Sequence, residues 1–114
     1  MVVKPQIAIE DFGKLDLRVG EVMEVSPVPG SEKLVKLFVN FKDFTRTIYA
    51  GLKKWYLPQS LVGRKLIFVV NLEPRTFKIN DLEYTSEGMI MAAGDREAIL
   101  YNFDKDIENG TTIH

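Results

Sequence analysis

Residues 33–41, Lys-Leu-Val-Lys-Leu-Phe-Val-Asn-Phe, place Val35, Leu37, Val39 and Phe41 on one side of an extended chain and Lys36 and Asn40 on the other. Period-two alternation of this kind fits a strand with one buried face and cannot line one face of a helix. The other apolar segments are equally short. Residues 17–25, 46–50 and 64–71 read as further strands, with Gly20 expected to mark a bulge in the first. Residues 89–93 and 98–101 read as a hairpin turned at Gly94-Asp95-Arg96-Glu97, and residues 111–113 as an edge strand after Asn109-Gly110. Helical signals are confined to a turn that Asp11 would cap and to residues 53–61, which Pro58 should distort.

A chain of 114 residues is expected to form one domain, residues 1–114. The pattern predicts an all-β fold: a five-stranded oligonucleotide/oligosaccharide-binding (OB) barrel with a short helix and extra terminal strands. No apolar run is long enough to span a membrane. With no cysteine and no apolar run of signal-peptide length among residues 1–6, the expected setting is the cytoplasm.

Net charge is −1, but it is unevenly spread. Residues 33–78 hold ten basic side chains against Asp43 and Glu73, a net of +8, while residues 95–108 hold five acidic ones. Folded onto one side, such a segment makes a basic face for a polyanion. Scattered over all sides, the same lysines only solvate the surface.

The residues give no catalytic constellation, so an enzyme acting alone is not expected. The only histidine, His114, ends the chain, and the eight glycines are dispersed without phosphate-loop spacing. No catalytic residue, metal site or cofactor is expected. Binding chemistry is easier to find. Asn71 ends an apolar run with an amide suited to base edges or phosphate, or equally to a turn. Arg75 offers a planar fork to phosphate, or is a solvated loop charge. Phe77 and Tyr84 set aromatic rings among these charges, a mixture that suits unstacked RNA, unless the rings fold into the core.

Six segments in order carry a resemblance: Asp11 to Gly20, Gly30-Ser31-Glu32-Lys33-Leu34, Ala50-Gly51-Leu52, Leu61 to Lys65, Asn71-Leu72-Glu73-Pro74-Arg75 and Ser86-Glu87-Gly88-Met89. Together they resemble the tRNA-binding domain family found at the C-terminus of methionyl-tRNA synthetases, in free-standing tRNA-binding proteins and in endothelial monocyte-activating polypeptide II. The resemblance implies an OB fold that grips tRNA by shape and a homodimer joined through the chain ends. It also implies a non-catalytic, beta-type partner of a methionyl-tRNA synthetase catalytic subunit. With tRNA as the partner, the basic residues Lys33, Lys36, Arg46, Lys53, Lys54, Arg75 and Lys78 would meet the RNA backbone. Asn71, Ser86 and Met89 would hold local geometry, with the Ser86 hydroxyl on phosphate or ribose. Gly88 would admit a partner's close approach, and Glu87 would fix the loop by accepting a backbone N–H or by pairing with a nearby basic side chain. The alternative within the same fold is a CsaA-like chaperone for unfolded polypeptide. Residues 76–85 depart from the family pattern as a longer loop.

Overall fold

The computed structural model describes residues 2–114. A single helical turn, α1 (Ile9–Phe12), leads into β1 (Leu17–Pro27), β2 (Val35–Asn40) and β3 (Thr45–Ala50), which form an antiparallel meander. The alternation in β2 is realised as read: Val35, Leu37, Val39 and Phe41 are buried, and Lys36 and Phe38 face outward. Their partners across the sheet, Ile48 and Ala50, complete that inner layer.

The bulge in β1 lies between Val22 and Glu24, not at Gly20. Gly20 keeps regular register with Leu66 and instead makes room. A Cβ there would stand 2.5 Å from Val39 Cγ1 and 2.6 Å from Phe41 Cε1. The missing side chain lets β1 coil down onto the end of β2 and be shared between neighbours. Its second half pairs with β2, and its first half with β4 (Lys65–Val69) and with β8 (Thr112–Ile113).

The helix between β3 and β4 is shorter than expected. α2 is only Pro58–Leu61, with Pro58 at its first turn, where a missing N–H costs nothing. Proline starts this helix and does not distort it. Leu61 then enters the core.

Residues 76–85 are not a loop. β5 (Arg75–Ile79) and β6 (Leu82–Ser86) form a hairpin around Asn80 and Asp81, both at positive φ (50° and 67°). Two such residues make the tight turn whose twist matches paired strands, and Asn and Asp tolerate it best after glycine. The expected hairpin over residues 89–101 is reduced to β7 (Met89–Ile90) on β4 and one bridge, Ala93 to Ile99. Its turn falls where expected, since a Cβ on Gly94 (φ 107°) would lie 2.2 Å from the Glu97 carbonyl oxygen.

The sheet order β3-β2-β1-β4-β7 curls into a nearly closed five-stranded OB barrel, with β8 as the extra edge strand on β1. Val22, Leu37, Ile48, Leu61, Leu66 and Phe68 fill it around Phe41. Phe41 meets Phe68 edge-on at 5.5 Å and stacks on Phe44 at 5.0 Å. The acidic stretch before β8 crosses the Asn40 end of β2. Lys42 bonds Glu108, Lys65 reaches the Ile107 carbonyl and lies 3.5 Å from Asp106, and Asn109 donates to Glu21 at 2.9 Å. No helix of the described residues is long and apolar enough to cross a membrane.

Gly20→Ala should overpack this corner. The expected loss is about 1–3 kcal/mol, read in urea denaturation as a lower midpoint with unchanged slope. A midpoint equal to wild type would show that Val39 and Phe41 do not need the space.

Candidate nucleic-acid interface

The barrel is closed by side chains as well as by backbone. The Tyr49 N–H on the outer edge of β3 donates to Ser86 Oγ at 3.0 Å, and the Thr47 N–H to Glu87 Oε1 at 2.8 Å. The Glu87 N–H returns a bond to the Thr47 carbonyl at 2.9 Å. Ser86 Oγ in turn donates to the Gly88 carbonyl at 3.2 Å. Glu87 therefore fixes the segment by accepting a backbone N–H, as the sequence suggested. Ser86 is buried, and its hydroxyl is spent within the fold, not held out to phosphate or ribose. Gly88 likewise serves an internal approach. A Cβ there would stand 2.9 Å from the Val69 carbonyl oxygen and 3.1 Å from Ile48 Cδ1.

Asn71 is a strut. Its Nδ2 donates to the Lys14 carbonyl at 2.7 Å, and its Oδ1 accepts the Asp16 N–H at 2.8 Å. The amide assigned to RNA ties the exit of β4 to the turn before β1. Arg46 is also partly occupied. Its guanidinium lies 4.9 Å above the Phe44 ring, on which Arg18 also packs, and 3.4 Å from the Glu87 carbonyl oxygen.

Beside the closing seam lies a cleft of about 250 Å³ between the barrel and the β5–β6 hairpin. Arg75 and Met89 line it, with Leu34, Leu72, Tyr49 and Phe77. Tyr49, Phe77 and Tyr84 form one aromatic cluster. Tyr49 meets Phe77 edge-on at 5.4 Å and Tyr84 at 5.5 Å, and the cross-strand pair Phe77 and Tyr84 stacks at 5.7 Å. Burial, then the neighbouring Tyr84, pushes the Tyr49 phenol above its usual pKa, so it stays neutral at physiological pH. Tyr49 was missed from the sequence, although alternation with buried Ile48 and Ala50 turns it outward. Register sets Lys36 beside it, and Phe38 next to Thr47 extends the same outer face.

The cleft opens at the Val35 end of β2, where the loop before β2 is held tightly. Ser31 Oγ accepts the Leu34 N–H at 3.0 Å, and Gly30 sits at φ 84°. A Cβ on Gly30 would come within 2.4 Å of Asn80 Nδ2, so the hairpin tip rests on this loop. The Lys53 N–H donates to the Lys33 carbonyl at 3.1 Å, which brings those two residues together. Lys54 follows in the same turn. Lys78 lies on the hairpin opposite Glu83, on the side away from Phe77.

Of the ten basic residues in 33–78, two are paired with carboxylates, seven are not, and Arg64, beside Lys65, donates to Asn102 Oδ1 at 2.9 Å. Lys42 and Lys65 are paired with Glu108 and Asp106 at the Asn40 end. The hydrogen bond from Lys42 holds the Glu108 carboxyl below its usual pKa and raises that of Lys42, so both stay charged at neutral pH. Among the described residues, Lys33, Lys36, Arg46, Lys53, Lys54, Arg75 and Lys78 have no carboxylate within salt-bridge distance. All of these except Arg46 lie toward the Val35 end or on the hairpin.

A family model described as "Putative tRNA binding domain" matches residues 17–112. The methionine–tRNA ligase of Methanococcus aeolicus is 43% identical over 107 residues, 94% of this chain and 15% of the ligase. That of Methanocaldococcus jannaschii is 44% identical over 110 residues, 95% of this chain and 16% of the ligase. The chain thus spans about 15% of the length of the curated relatives it matches. Among solved structures, a MetRS-related protein from Pyrococcus horikoshii superposes with a TM-score of 0.82 at 30% identity, covering 97% of this chain and all of the other. The chaperone CsaA from Bacillus anthracis superposes at 0.81 with 26% identity, covering 96% of this chain and all of the other.

Ser86→Ala should leave the half-buried Tyr49 N–H without its partner, at up to about 1–3 kcal/mol. Native-state hydrogen exchange should then quicken first at Tyr49 and Thr47. Unchanged exchange at those amides would show that Ser86 does not close the barrel.

Proposed function

The chain belongs to the tRNA-binding domain family, and from that premise we propose that it grips tRNA by shape and charge. The observation that carries this reading is the division of its cations. The acidic segment neutralises Lys42 and Lys65 at one end of the barrel, while among the described residues Lys33, Lys36, Lys53, Lys54, Arg75 and Lys78, around the cleft and hairpin, have no carboxylate within salt-bridge distance, Lys53 donating instead to the Ser31 carbonyl at 2.9 Å. Unpaired cations release counterions from an RNA backbone, which supplies affinity without reading sequence. Arg46 adds charge from the barrel end. Asn71 and Ser86 act indirectly, by holding the surface that Arg75 and Met89 present.

In this reading residues 1–114 form one non-catalytic unit. It works in the cytoplasm as a homodimer beside a methionyl-tRNA synthetase catalytic subunit. Catalysis belongs to the partner: this chain matches only about 15% of the ligases. Holding tRNA near a catalytic subunit raises its effective concentration without new chemistry. A second reading, a CsaA-like chaperone, is favoured by the apolar half of the cleft, Leu34, Leu72 and Met89, which would also accept side chains of an unfolded polypeptide.

Fluorescence anisotropy of labelled tRNA across a salt series separates the two. The tRNA reading predicts a linear fall of log affinity with log salt. Lys33→Gln and Lys53→Gln should each reduce that slope by about 1, and Lys42→Gln should leave it unchanged. A flat salt dependence, with binding of an unfolded client polypeptide instead, would favour the chaperone.

A further inference from the structure

We propose that the cleft beside the barrel seam is a site for one unstacked nucleotide of the bound RNA, with its base in the cleft and a phosphate on Arg75. This rests on the tRNA reading and adds a contact to a base that charge alone does not supply. At about 250 Å³ the cleft is smaller than the roughly 300–1,000 Å³ of a drug-sized pocket, so it has room for a single base and not for an oligomer. Its walls are mainly apolar: the Tyr49 and Phe77 rings, which meet edge-on, with Leu34, Leu72 and Met89 around them. Rings and thioethers offer a base the polarisable surface it loses on leaving the stack.

Two polar groups of opposite sign also line the cleft. Arg75 and Glu73 are not ion-paired with each other among the described residues, so neither is cancelled. The guanidinium suits a phosphate. The carboxylate only accepts hydrogen bonds, so it suits the exocyclic amino group of adenine, cytosine or guanine, whereas the one base donor of uracil, N3–H, lies between two carbonyl oxygens that repel the carboxylate. Ser86 Oγ and the Gly88 carbonyl are engaged with each other at the cleft floor. Discrimination therefore falls to Glu73, and the site favours an amino-bearing base.

The test titrates AMP, UMP and ribose 5-phosphate into the full chain and follows the backbone amides of Phe77, Gly88 and Met89 by NMR. AMP is expected to shift all three, UMP to bind at least about 5-fold more weakly, and ribose 5-phosphate, which lacks a base, to leave Gly88 and Met89 in place. Glu73→Gln should erase the difference between AMP and UMP. Met89→Trp fills the cleft from a side chain that is 46% exposed. It should weaken AMP about 5- to 150-fold, the worth of one stacked base. Three results would each overturn the proposal: no AMP shifts at Gly88 and Met89, the same shifts from ribose 5-phosphate, or an apolar peptide that occupies the cleft in preference to AMP. Salt-steep tRNA binding without AMP seating would remove the cleft and leave the tRNA reading standing. AMP seating without tRNA binding would do the reverse.

Discussion

Two side chains close what backbone pairing leaves open. β3 would be a free sheet edge, a row of unpaired N–H and C=O groups exposed to solvent or to another chain. Ser86 and Glu87 satisfy two of its N–H groups, and the Glu87 N–H satisfies one of its carbonyls. Gly88 lets the same segment press against Val69 and Ile48 on the inside. The seam fixes where the β5–β6 hairpin leaves the barrel. It thereby sets the distance between Tyr49 and Phe77 and so the cleft. The Ser-Glu-Gly run is built for this short-range work, and Met89, the next residue, is the first of the series to reach the surface with its side chain uncommitted.

Electrostatics follows from the same topology. The chain returns to β1 at its end, and the acidic segment before β8 must cross the Asn40 end of β2 to arrive there. Acid is therefore delivered to one end of a basic barrel. The six-residue length of β2, about 20 Å at strand rise, separates that end from Lys33 and the cleft. A protein with net charge near zero thus presents a basic region. The separation exceeds the screening length of about 8–10 Å at physiological ionic strength, so the two ends act independently on a large anion.

Much of the fold was legible because alternation and turns are local. β2 reads directly from Val35, Leu37 and Val39, and the terminal strand from the Asn-Gly turn before it. The β5–β6 hairpin was also written locally, in Phe77 and Ile79 against Leu82 and Tyr84 around Asn80-Asp81. Asp at the second turn position in place of glycine hid it. Gly20 misled because a bulge and a close approach leave the same mark in sequence. The site was less legible. Asn71 and Ser86 stand in recurring motifs, yet their polar atoms are spent on Lys14, Asp16, Tyr49 and Gly88, contacts up to 57 residues away in sequence. The lysines stand out in the sequence as one basic window, but which of them are paired depends on Glu108 and Asp106 arriving from the far end of the chain.

The face of the barrel that meets RNA is set by where its uncompensated cations lie. Ultraviolet crosslinking of unmodified tRNA to the full chain, with crosslinked peptides identified by mass spectrometry, reads that face directly. Crosslinks confined to the peptides carrying Lys33 to Phe38, Tyr49 to Trp55 and Arg75 to Met89 are the predicted result. Crosslinks centred on Asp104 to Glu108, or spread evenly over the chain, would contradict it.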